Sequence, residues 1–215
     1  NGAKSMEGAL IAERLITEAR DSTVVVLDTR PGEPSPAPLQ TPPSSPGETL
    51  HMPPTAAQRP ALGRLLHPQS MIIWDTPVTR DEILRALNAA LPRLNGENQF
   101  ATCLQAVLER EKQGSTFFNE GVAFPHARIA GLVHSAMAVG LSRVGVTDVQ
   151  SEQPIECIFL IISPLEQPDE QTRLLRLASK ASQDRQLRDA LHMAQSPEHA
   201  YRLISDWMAQ GIGVD

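Results

Sequence analysis

"IECIFLIIS", residues 155–163, is the stretch on which the fold turns. Seven of its nine residues are apolar, with a single charge near the start and a hydroxyl at the end. An amphipathic helix would interrupt such a run every few residues, and a strand with one face in water would alternate. A short continuous run of β-branched and aromatic side chains predicts instead a strand covered on both faces. That requires helices in two layers, and the flanking sequence supplies them.

On the N-terminal side, "MIIW" (71–74) reads as a short buried strand. Thr79, followed three residues later by Glu82, forms a capping-box pattern for a helix whose Ile83, Leu84, Leu87 and Leu91 line one face and which stops at Pro92. A second helix is predicted over 98–113, with Phe100, Cys103, Leu104, Val107 and Leu108 at helical spacing and Gly114 at the position that favours a left-handed residue. The period then changes, and "GVAF" (121–124) and "SAMAVGLS" (135–142) read as further strands. Three helices follow, over 168–182, 184–194 and 197–210, the last with Ser196 as N-cap, Pro197 at its first position and Gly211 just past its end. The expected fold is α/β, a mixed β-sheet flanked by helices in a layered sandwich, occupying residues 62–215.

Upstream the composition shifts. Residues 31–60 hold ten of the eighteen prolines and almost no large apolar side chains, so 31–61 is expected to be an extended, flexible linker. Before it, residues 1–30 offer one weakly periodic helix (Ala9, Leu10, Leu15, Ile16) and the strand-like "STVVVLDT", too little for a core and expected to be a remnant or the tail of an upstream domain. The chain opens at Asn1, consistent with a processed or excised fragment.

The net charge of −6, with no run of Lys and Arg, argues against a dedicated nucleic-acid binder. No stretch reaches the ~18 apolar residues of a membrane span, and no signal peptide opens the chain. A cytoplasmic protein, or the soluble part of a larger membrane-associated one, without direct membrane insertion of its own is expected, with Cys103 and Cys157 as buried reduced thiols.

Chemistry concentrates in "STFFNEGVAFPHARI", residues 115–129. Pro125 removes a backbone donor and biases Phe124 toward an extended conformation, so His126 is expected where a strand runs out into a loop. Arg110 lies in the last turn of the second helix, on the flank of its apolar stripe. Its ordinary role there is to answer the helix dipole. Together with Ser115, Thr116 and the nearby Arg128, however, it supplies suitable parts for an anion site.

"EREKQGSTFFNEGVAFPHAR" (109–128) resembles the active-site signature of the fructose/mannitol-type enzyme IIA domain of the bacterial phosphoenolpyruvate:sugar phosphotransferase system, including its nitrogen-regulatory branch. The resemblance extends through "LHPQSMII", "IECIFLIISP" and "DEQTRLLRLAS". It implies that His126 accepts a phosphoryl group from a histidine phosphocarrier protein and passes it on, for instance to an enzyme IIB or transporter domain. It further implies that Arg110 steadies the phosphoryl oxygens, that Ser115 and Thr116 lie close by, and that Glu120 is the acidic neighbour of the site. No cofactor is implied. Where the family usually places a second histidine, this chain has Gln171, an amide that can donate a hydrogen bond but cannot become cationic. That departure supports a second reading, a regulatory module derived from enzyme IIA that controls a transporter or regulator by docking.

Other chemistries are poorly served. His126, His134 and Glu156 could in principle ligate a metal, but no paired ligand spacing supports it, and no metal is expected. No Gly-x-Ser-x-Gly occurs, and neither cysteine has an electropositive sequence neighbourhood. His51, His67, His192 and His199 read as solvated or capping residues.

Overall fold

The computed structural model describes residues 65–92, 98–117, 121–149, 151 and 153–209. The expected remnant and linker at 1–61, together with Glu120 and Gly211, lie outside the described residues. After a 3-10 turn at Pro68–Ser70, the elements are β1 (Met71–Trp74), α1 (Arg80–Ala89), α2 (Asn98–Gln113), β2 (Val122–Ala123), β3 (His126–Ile129), β4 (Ala136–Ser142), β5 (Cys157–Pro164), α3 (Pro168–Gln183), α4 (Arg185–His192) and α5 (Pro197–Ala209).

β5, the apolar run, is the centre of a five-stranded mixed sheet and is buried along its whole length. β4 lies antiparallel on one side of it and carries β1 parallel at its outer edge; β2 and β3 both pair parallel with the other side, one after the other. Alternation along the strands divides the core in two. Phe124, Met137, Val139, Leu141, Phe159 and Ile161 face α3, α4 and α5, contacting Leu174, Ala178, Leu191, Ile204 and Trp207. Ala127, Ala136, Ala138, Ile158, Leu160 and Ile162 face α1 and α2, meeting Ile83, Leu84, Leu87, Cys103 and Val107. The small residues on this second face let the two helices approach the sheet closely.

The capping box forms as expected: Thr79 accepts from the Glu82 backbone N–H, and the Glu82 carboxylate accepts from the Thr79 backbone N–H at 2.8 Å. Ser196 likewise accepts from His199 N at 3.2 Å at the start of α5.

Three local expectations need correction. First, α1 ends at Ala89, before Pro92. Second, Gly114 is not among the glycines with positive φ, which in the described residues are Gly121, Gly131 and Gly145. The Arg110 side chain instead donates to the Gly114 carbonyl at 2.9 Å and closes the helix end. Third, His126 does not sit on an outgoing loop. The strand begun at Val122 breaks at Phe124-Pro125 and resumes as β3, with His126 opposite Ile161 and only 1 % exposed. Proline lacks the N–H, but its carbonyl still accepts from Ile161 N at 2.9 Å, so the break costs one ladder bond and the pairing continues.

Candidate functional site

His126 is held from two directions. Phe124, stacked on Phe159 with ring centroids 5.9 Å apart, is fixed in the core, and its carbonyl lies 2.8 Å from His126 Nδ1. A carbonyl can only accept, so Nδ1 carries the proton, and in the neutral imidazole the lone pair resides on Nε2. Strand alternation turns the ring toward the α3 layer, because the intervening Ala127 belongs to the opposite core.

The second support reaches back to α2. Phe124 N donates to Thr116 O at 3.1 Å, and Phe117 bridges Ala123, so the segment leaving α2 runs antiparallel beside β2. Consecutive residues in the last turn of α2 pin that segment: Arg110 through Gly114 O, and Glu111 through both the backbone N–H and the hydroxyl of Thr116. Glu111 is buried, and burial pushes its carboxyl up from the ordinary range against the opposing pull of the Thr116 bonds and of Arg110 and Arg80. Arg110 is buried as well.

The hydroxyl proton of Thr116 goes to Glu111, whereas Ser115 Oγ accepts from Phe117 N at 3.2 Å and keeps its own proton for another acceptor. Arg128 follows His126 on the same face of β3, opposite Ser163. Gln171 is 1 % exposed in the first turn of α3 and one turn before Leu174. Since α3 runs back antiparallel to β5 after a three-residue turn, that first turn lies over the Ile161–Ser163 end of the strand, on the side toward which His126 points. His126, Arg128 and Gln171 thus converge on one end of one face, with Arg110 and Thr116 bracing it from the other layer.

The remaining sequence candidates disperse. Glu156 lies at the far end of β5, 3.8 Å from His192, and His134 is exposed in the turn before β4. Among the described residues no three His, Cys, Asp or Glu side chains gather into a metal site. Cys103 and Cys157 are buried, and desolvation pushes their thiols up to about 11 and about 12, which makes them poor nucleophiles. A cleft of about 690 Å³ opens at the same far end, between Val122, Leu141, Arg143, Cys157, Arg188 and His192, away from His126. Sequence reasoning overlooked Glu111, although it continues the Cys103–Val107 stripe by one helical step. It also overlooked Ser163, a hydroxyl where the alternation Cys157, Phe159, Ile161 would place another apolar side chain.

The family model described as "Phosphoenolpyruvate-dependent sugar phosphotransferase system, EIIA 2" matches residues 65–207. The chain belongs to that family. Its curated relatives include the nitrogen regulatory protein of Escherichia coli (strain K12), 32 % identical over 104 residues, which are 47 % of this chain and 64 % of that one. The chain therefore spans slightly less than two thirds of that relative. The nitrogen regulatory protein of Pseudomonas aeruginosa is 26 % identical over 67 % of this chain and 95 % of its own length. The fructose-specific EIIABC component of Bacillus subtilis is 39 % identical over 38 % of this chain and 12 % of its own. Among solved structures, nitrogen regulatory protein IIA-Ntr from Neisseria meningitidis superposes with a TM-score of 0.55 at 23 % identity, covering 66 % of this chain and 98 % of that one. At that identity the likeness establishes the fold, a mixed sheet with flanking helices. Among the described residues of this EIIA-type domain no helix is long and apolar enough to cross a membrane.

Proposed function

We propose that this EIIA-type domain carries a phosphoryl group on Nε2 of His126. The observation that supports this reading is the 2.8 Å contact from His126 Nδ1 to the Phe124 carbonyl, which fixes the tautomer with its lone pair on Nε2. In the transfer, that lone pair attacks phosphorus in line. The N–P bond to His126 forms as the P–N bond to the donor histidine breaks, and its electron pair returns to the donor nitrogen. The proton stays on Nδ1 throughout, donated to the Phe124 carbonyl, and the ring's gain of positive charge is offset by the arriving dianion. Because His126 is buried, the side chains covering it must yield before donor and acceptor can meet.

Arg110 and Glu111 hold the Thr116–Phe124 pairing that orients the ring. Arg128, Ser115 and, as the resemblance implies, Arg110 are assigned to the phosphoryl oxygens, with Glu120 as the acidic neighbour. The donor partner is a histidine phosphocarrier protein. An enzyme IIB domain is the natural acceptor, as in the complex of enzyme IIAMTL and phosphorylated enzyme IIBMTL from E. coli, whose IIA fold this chain shares with a TM-score of 0.51. We place the domain boundary at residue 62 and the site of action in the cytoplasm.

The buried amide of Gln171 favours a second reading, in which phosphate is accepted slowly or held without onward transfer and the domain regulates a transporter or regulator by docking. Incubation with phosphoenolpyruvate and the general phosphotransfer proteins tests both. The carrier reading expects label on His126, its complete loss in His126→Ala, and discharge to an enzyme IIB. Label without discharge selects the regulatory reading, and label at the wild-type level in His126→Ala removes His126 from either.

A further inference from the structure

The end of the sheet beside His126 holds three buried oxygens that the fold does not satisfy. Ser163 Oγ, Ser135 Oγ and Gln171 Oε1 have no hydrogen-bond partner among the described residues, although Ser163 is 0 % exposed, Gln171 1 % and Ser135 9 %. Native interiors rarely leave a buried hydroxyl or amide unmatched, since each orphan forfeits its hydration for nothing in return. Three at one location therefore call for a ligand.

Their placement identifies its chemistry. β3 pairs with β5 so that Arg128 stands opposite Ser163. β4 pairs antiparallel with β5, Ala136 opposite Ile162, so one residue earlier Ser135 comes opposite Ser163 from the other side. The result is a row across three adjacent strands: guanidinium, hydroxyl, hydroxyl. The next row inward is His126, Ile161 and Met137. Alternation puts His126, Arg128, Ile161 and Ser163 on the α3 face, and the first turn of the sixteen-residue α3, bearing Gln171, closes over it. A positive side chain, two hydroxyl donors, an amide and a helix N-terminus around one position constitute an oxyanion site.

We propose that Ser163 and Ser135, with Arg128, form a shelf that receives the phosphoryl oxygens on His126. This rests on the carrier reading above and adds two phosphoryl-binding residues to it. Ser163 and Ser135 each donate a hydroxyl hydrogen to a nonbridging oxygen, and rotation of the Gln171 amide presents its NH2 group to a third. A shelf of this kind, with Arg128 as its cation, stabilises the phosphorylated state without a second histidine.

The test uses the full chain and phosphoramidate, a small donor that needs no partner protein. Nε2 of His126 attacks phosphorus, the donor P–N bond breaks, and the nitrogen departs as ammonia with the electron pair. Labelling is followed by mass spectrometry, and the phosphohistidine by its 31P resonance. Ser163→Ala and Ser135→Ala should each slow labelling about tenfold, as loss of a hydrogen bond to a charged group implies. Each should also move the 31P resonance, while Ser142→Ala at the other end of the sheet leaves it in place. Wild-type rates and an unmoved resonance in both variants would overturn the shelf and leave the carrier reading standing. If one serine variant fails to fold, the other, on a different strand, decides alone. If the wild-type chain takes no label from phosphoramidate or from the phosphorylated histidine carrier, the carrier reading falls and the shelf falls with it.

Discussion

Ser142 and Ser163 mark opposite ends of the central antiparallel pair, and they are treated in opposite ways. Ser142, 1 % exposed, donates to Gly145 O at 3.0 Å and accepts from Gly145 N at 3.1 Å, closing a turn around a glycine whose φ of 88° suits the left-handed region. Ser163 is at least as buried and makes neither bond. Ion pairs do not separate the two ends: Arg143 meets Asp75 at 3.1 Å at the Ser142 end, and Arg173 meets Glu170 at 2.8 Å in the first turn of α3. At the Ser163 end polar groups are buried and left over. The cleft of about 690 Å³ lies at the satisfied end, so here a cavity is a poorer guide to chemistry than unmet hydrogen-bonding capacity.

The contrast is most exposed to failure in the stability of serine variants, where the largest effect is expected. Ser142→Ala strips a donor and an acceptor from a buried turn and leaves the Gly145 N–H and carbonyl unmatched, which should cost about 2 kcal/mol. Ser163→Ala removes an atom that bonds to nothing described and should leave stability within about 0.5 kcal/mol of wild type, or raise it. Urea unfolding of the two variants measures the difference directly. Equal losses would mean that Ser163 is as structural as Ser142 and that its lack of partners carries no functional meaning.

A smaller effect, on rate, sharpens the same division at Gln171. Replacing it by histidine puts an ionisable ring at a 1 % exposed position over the site. At an effective dielectric of about 20, opposite unit charges near 4 Å attract by on the order of 4 kcal/mol, and desolvation takes back most of that. A net gain of about 1.4 kcal/mol would raise single-turnover transfer roughly tenfold. The gain should also be larger below pH ~6.5, where the new ring is protonated. A rate unchanged at every pH would show that the amide and hydroxyls already suffice.

Much of this was legible before any coordinates. The two-sided burial of β5 follows from its unbroken apolar run, and the Thr79–Glu82 box from spacing alone, because both are properties of a few neighbouring residues. Pro125 shows where local reading stops. It announces a missing donor, correctly, but the strand resumes because the proline carbonyl finds Ile161 N, a partner supplied by β5. Gly114 fails in the same way: its freedom to adopt positive φ goes unused once the Arg110 guanidinium takes its carbonyl. The Pro-His pair and the inward-facing Gln171 could be read, whereas the orphaned state of Ser163 could not, since satisfaction of a hydroxyl depends on every element packed around it.

The smallest expected effect is a difference in sign between two carboxylates, one at each end of the molecule. Asp184, at the far end of α3, accepts from Leu187 N at 3.0 Å and from Trp207 Nε1 at 2.8 Å, and these bonds, the backbone one foremost, hold its carboxyl below the ordinary 3.8. Its stabilisation is present above pH 3.8 and is lost as pH falls through the depressed folded value. Glu111, beneath the site, is shifted the other way: burial lifts it above 4.5, so its contribution is greatest below pH 4.5 and declines as pH rises through the folded value. Unfolding free energies measured from pH 3 to pH 8 for wild type, Asp184→Asn and Glu111→Gln separate the two. Relative to Asp184→Asn, the wild type should lose ground on acidification. Relative to Glu111→Gln it should gain, because protonation relieves the buried charge that the amide never carries. Any fixed cost of refitting the amide against Thr116 offsets that second curve without changing its slope, so slope is the quantity to compare. Parallel slopes for the two variants would mean that Glu111 is solvated well enough to behave as an ordinary carboxylate, and the rigid brace from α2 to His126 would lose its buried anchor.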